Sequence, residues 1–127
     1  MDRAEYAVER KHGGLNCCQA VLAAFSDRME LPEETLLKMG ACFAVGMGSM
    51  EATCGSLCGA QMLLGLDRYG GKSIVPQARA LAEAFRQQTG ALTCREIKGV
   101  DTGKVLCPCD DCVQNAVRLL EAALEQK

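Results

Sequence analysis

Three thiols fall within six residues at "CPCDDC" (107–112), and two more stand four apart in "TCGSLCGAQM" (53–62). Thiolates attack disulfides and bind soft or borderline metal ions, so such groups point to redox exchange or to metal ligation. Cys17, Cys18, Cys42 and Cys94 complete a set of nine, beside a single histidine, His12. An odd number cannot all pair within one chain. At least one thiol is therefore unpaired, buried, reactive or ligating.

Cys54 and Cys58 read as i and i+4 on one helix, where Cβ atoms lie about 5–6 Å apart. A disulfide needs Cβ atoms about 3.5–4.5 Å apart, so the two should not bridge while the helix is intact. They could share a metal, since zinc–sulfur bonds of about 2.3 Å let two sulfurs sit close together. They could also meet cysteines on other helices. A plainer account is that Gly55 and Gly59 admit a neighbouring helix while cysteine packs as a small hydrophobe.

In "CPCDDC", Pro108 keeps Cys107 extended, and Cys109 and Cys112 stand at CxxC spacing at the start of a helix. The helix dipole there favours a thiolate, whereas Asp110 and Asp111 oppose one. A thioredoxin-type site is a poor match, because no βαβ pattern carries it. For a metal, Cys107, Cys109 and Cys112 are local ligands, Cys94 lies on the preceding turn, and Cys54 and Cys58 are further candidates. Zinc or an iron–sulfur cluster would suit such thiolates, although a zinc ribbon would need a second CxxC.

Other candidates are thinner. His12 sits at the end of the first helix, where a cation suits the dipole and a surface cap is the expected role. Glu51 and Arg95 adjoin Cys54 and Cys94 and could tune a thiol, but surface positions are expected. The six Met residues fall in apolar stripes and read as core.

Helices must position these groups. The first spans 2–11 and stops at Gly13 and Gly14, where a left-handed cap is expected. Asn16 caps a second from about 17 to 29, whose stripe is Cys17, Ala20, Val21, Ala24 and Phe25, with Cys18 about 100° round. A third begins near Pro32, and "GMGSM" (46–50) is a tight loop. A fourth covers about 51–67, and a fifth runs from Pro76 to about Gln88. Thr93 caps a short turn through "CREIKG", and a last helix runs from about 110 to 125. The expected architecture is one all-α domain over 1–127, with five to six helices that gather cysteines between them.

At 127 residues the chain suits a single core, built from Leu, Val, Ala, Met and Cys, because it has no Trp and few other aromatics. A net charge of −2 and scattered Lys and Arg argue against nucleic acid. The opening "MDRAEYAVERKHGG" is charged throughout, so neither a secretory signal nor membrane insertion is expected. A cytoplasmic setting follows, and its reducing conditions favour metal or redox work over structural disulfides.

Taken in order, "GLNCCQAVLAAF" (14–25), "GMGSM", "TCGSLCGA" (53–60), "TCREI" (93–97) and Cys112 before an alanine-rich helix resemble one small bacterial family. It is the redox-active family named for its C_GCAxxG_C_C cysteine pattern, and the resemblance runs from about 4 to 124. It implies that Cys17, Cys54, Cys94 and Cys112 are redox thiols and that Cys54, Gly55 and Gly59 form the CGAxxG element. Ser56 stands there in place of alanine. Cys58 falls on a variable position, and Cys18, Cys42, Cys107 and Cys109 are additional. The resemblance also implies a redox partner protein or a transporter-associated component.

Three functions remain open at this point. One is dithiol/disulfide cycling, as in an oxidoreductase. A second is a cysteine-ligated zinc or iron–sulfur module. The third is a non-catalytic helical partner whose cysteines only pack.

Overall fold

A computed structural model describes residues 1–126, and among them there are seven helices and no strand. They are α1 (Arg3–His12), α2 (Cys17–Ala24), α3 (Glu33–Gly40), α4 (Gly55–Arg68), α5 (Val75–Thr89), α6 (Cys94–Lys98) and α7 (Cys109–Glu125). The all-α expectation holds. The helix beyond the expected five to six is α6, which the sequence shows only as a capped turn.

Capping sets where the site helices begin. Asn16 accepts the Gln19 N–H at 2.8 Å, and the Gln19 side chain accepts the Asn16 N–H, so two otherwise unpaired donors are satisfied. The same two residues reach α3, because Asn16 donates to the Gly40 carbonyl and Gln19 to that of Leu37. The start of α2 is thus tied to the end of α3. Thr93 caps α6 through the Glu96 N–H.

Helix α2 is the centre of the molecule and packs against α1, α3, α4 and α7. Ala20, Val21, Leu22, Ala23, Ala24 and Phe25 are all buried, so it has no solvent face. This reverses the expected order of its two thiols. Cys18 is fully buried and Cys17, placed on the inner stripe by periodicity, is half-buried. The stripe rule assumes one wet face, and α2 has none. It also ends at Ala24, short of residue 29.

Two glycines let α4 lie close to α2. A Cβ on Gly55 would overlap the Phe43 carbonyl oxygen and stand 2.6 Å from the Cys17 Sγ. One on Gly59 would stand 2.9 Å from the Cys18 carbonyl oxygen. The expectation that these glycines admit another helix is met, and the helix is α2. The rest of the core is filled by Leu36, Leu63, Phe85, Ile97, Val113, Val117 and Leu120.

Helix α4 starts later than its expected 51 because residues 52–54 are already engaged. Cys54 donates its N–H to the Leu92 carbonyl at 2.8 Å, Cys94 donates to Ala52 at 3.1 Å, and Thr53 pairs antiparallel with Thr93. Helical geometry would withdraw those groups. At the end of α1, Gly13 has φ −83 and the left-handed φ falls on Gly14 instead. No helix among the described residues is long and apolar enough to cross a membrane.

Candidate functional site

The cysteines singled out above lie at helix N-termini. Cys17 opens α2, Cys54 is the cap of α4, Cys94 opens α6 and Cys109 opens α7, with Cys112 one turn further on. Free amide N–H groups and the positive end of the dipole favour an anion at such positions.

Two local devices bring the starts together. The antiparallel Thr53–Thr93 bridge sets Cys54 against Leu92 and Cys94 against Ala52, so the starts of α4 and α6 share one short junction where Cys94 feels the Cys54 charge. The close approach of α2 to Gly55 then puts the Cys17 sulfur against the first residue of α4. Over Cys94 the chain passes at Gly46, where a Cβ would be 2.9 Å from the Cys94 Cβ. Val45, Met47 and Met50 flank that crossing with φ of 53, 59 and 63, a left-handed geometry that costs about 1–2 kcal/mol per non-glycine residue.

Cys54 is the hub. Hydrogen bonds from Cys112 and then Cys17, joined by the Ser56 backbone N–H, outweigh its burial and hold it well below the ordinary thiol range. Cys17 is raised first by its hydrogen bond to Cys109 and then by that to Cys54, and Cys112 is raised by Cys54 and by burial. Cys17 has one S–H and faces two acceptors, so it serves one at a time.

Cys109 is held down to about 6, first by the hydrogen bond from Cys17, then by the charges of Lys98 and Lys11, against its partial burial. The expected opposition from Asp110 is offset by its own cationic partners. That carboxylate is taken up by Lys11 at 2.8 Å and His12 at 2.7 Å, while Asp111 is exposed. His12 therefore does more than end α1, because it ties that helix to the start of α7. Arg95 does stay at the surface, on Asp101 at 2.8 Å.

The other thiols have separate places. Cys94 is buried and raised by that burial and then by the Cys54 charge. Cys58, half-buried, turns its S–H to the Thr53 carbonyl at 3.7 Å and is raised by burial. Cys107 is buried, and its carbonyl, 3.7 Å from the Cys112 Sγ, competes with Cys54 for that one S–H. Cys18 packs against α3 and α4 and is pushed up to about 12 by burial. Cys42 is exposed, and all nine are free thiols.

The thiols form a line, Cys109–Cys17–Cys54–Cys112, with Cys94 beside its third member. Among the described residues no three His, Cys, Asp or Glu side chains are grouped to hold a metal ion. A line of adjacent thiols and thiolates is suited to sulfur-to-sulfur exchange.

Three contributors escaped the sequence reading. Lys11 and Lys98 look like surface charges until α1 and α6 are set against α7. Ser56 is fully buried, and its hydroxyl has no hydrogen-bond partner of good geometry. The group it can serve is the Cys54 sulfur. Its position in the CGAxxG element, where alanine is expected, was the available signal.

No curated protein and no solved structure matches the chain. One family model does, described as "Putative redox-active protein (C_GCAxxG_C_C)", and it covers residues 15–123. That span takes in every helix start at the site and all nine cysteines. The chain belongs to the C_GCAxxG_C_C family of cysteine-rich redox-active proteins.

Proposed function

We propose that the protein is a thiol–disulfide oxidoreductase working through Cys17, Cys54 and Cys112. The observation that carries this reading is the meeting of Cys17, Cys54 and Cys112 from the starts of α2, α4 and α7, with Cys54 set between the other two. A nucleophile and its resolving partner are then adjacent before any substrate arrives.

Attack by a site thiolate on a substrate disulfide forms a mixed disulfide and expels one substrate sulfur as thiolate. A flanking thiol gives its proton to that leaving group, attacks the mixed disulfide and displaces the second substrate sulfur. The protein ends with one new disulfide and the substrate with two thiols. Two electrons have passed from protein to substrate, and the reverse reaction oxidises a substrate dithiol. Cys94, beside Cys54, is a further resolving partner. A reducing cytoplasm would keep the resting state as thiols, and the partner would be a disulfide-bearing protein or a component beside a transporter.

The test is to titrate anaerobically purified, reduced protein with glutathione disulfide and map the cysteines without reduction by mass spectrometry. A bridge between Cys54 and Cys17 or Cys112, reversed by dithiothreitol, is the expected result. Nine thiols with unchanged pairing would overturn the proposal. So would stoichiometric zinc or iron in the same preparation, bound through these cysteines, which is what the metal-module reading forecasts.

A further inference from the structure

The reacting hub is closed to solvent. Cys54 is 6% exposed and Cys112 1% exposed, so neither offers an external disulfide a line of approach. Thiol exchange requires access as well as a thiolate. Cys109 and Cys17 are half-buried, and they occupy the outer end of the line of sulfurs.

We propose that Cys109 is the entry thiol of this site, taking a sulfur from an incoming disulfide at the surface and passing the oxidation through Cys17 to the buried Cys54–Cys112 pair. This rests on the thiol–disulfide reading above and assigns that site its point of contact. Cys109 opens the 17-residue α7, and Lys98 of α6 and Lys11 of α1 face it. Lys11 is fixed there by its 2.8 Å ion pair with Asp110. Helix start and ammonium groups both favour a thiolate at this half-exposed position.

The balance is closed at each step. The Cys109 thiolate attacks one sulfur of the disulfide, forms Cys109–S–S–R and releases RS⁻, which takes a proton from Cys17. Cys17 attacks the Cys109 sulfur and expels the second RS⁻, which is protonated by solvent. Cys54 then attacks Cys17 and frees the Cys109 thiolate. Finally Cys112 loses its proton to Cys17 as it displaces that sulfur from Cys54. Each internal exchange breaks one S–S bond and makes another, so only the first two steps move electrons to the substrate.

Glutathione disulfide is the probe, in a Cys42→Ser background that removes the exposed thiol. Cys17→Ser should accumulate glutathione on Cys109, read as a mass shift on that peptide. Cys109→Ser should slow formation of the Cys54 disulfide at least tenfold, and Cys109→Ala should match it, both with unchanged far-ultraviolet circular dichroism and melting. Oxidation at the parent rate in either Cys109 variant, or an adduct trapped on Cys54 or Cys58 instead, would sink the entry role alone. If the parent itself forms no disulfide, the thiol–disulfide reading falls with it.

Discussion

Two cysteines four residues apart have divergent fates at the residue scale. Cys54 caps α4 and collects hydrogen bonds from two thiols and the Ser56 N–H, while Cys58, one turn on, keeps its proton and bonds to the Thr53 carbonyl. The same division separates Cys109 from Cys112, because the first accepts from Cys17 and then meets Lys98 and Lys11, whereas the second donates to Cys54. A pH dependence follows for Cys109. Its folded value, about 6, is below the ordinary thiol value, so the thiolate predominates above about pH 6 and is lost as pH falls through it. Alkylation of Cys109 by iodoacetamide, read by peptide mass spectrometry, should rise through about pH 6 and level off near neutrality. A free cysteine continues to rise beyond pH 8. Cys17→Ala should move the midpoint up most, since the Cys17 hydrogen bond is the largest cause, and Lys98→Met should move it up less. A midpoint near 8.5 in the parent would refute the assignment.

The element scale is governed by how closely α2 and α4 approach. Gly55 and Gly65 lie on the same helix in opposite circumstances. A Cβ at Gly55 meets the Phe43 carbonyl and the Cys17 sulfur, whereas one at Gly65 meets nothing within 4 Å. Gly55→Ala should destabilise by about 1–3 kcal/mol through overpacking. Gly65→Ala should stabilise by about 0.5–1 kcal/mol through helix propensity. Urea midpoints measure both, and equal shifts would show that the close approach is not what Gly55 serves. The helix limits were legible where chemistry is local. Asn16 and Pro32 sit at or next to the ends they were read as marking. The start of α4 was not legible, because residues 52–54 are held by a partner segment some 40 residues away in sequence.

At the scale of the whole molecule, α2, α4, α6 and α7 deliver their N-terminal ends to one place, so a disulfide there would join elements distant in the chain. Bridging Cys54 to Cys112 would tie α4 to α7 and shrink the unfolded ensemble. The oxidised protein should therefore resist guanidinium better than the reduced one, by about 2–4 kcal/mol. Unfolding curves with and without dithiothreitol decide the sign, and an oxidised form that unfolds first would show that the bridge strains the fold. The all-helical class and the family were determined by sequence alone, because helical periodicity, capping and spacing are properties of neighbouring residues. Tertiary structure alone decided which thiols meet. It made Cys54 the hub, exchanged the burial of Cys17 and Cys18, drew Asp110 away to Lys11 and His12, and set Lys98 against Cys109. A thiol's proton affinity depends on charges and donors within a few ångströms, and here those come from α1, α2, α4, α6 and α7 at once.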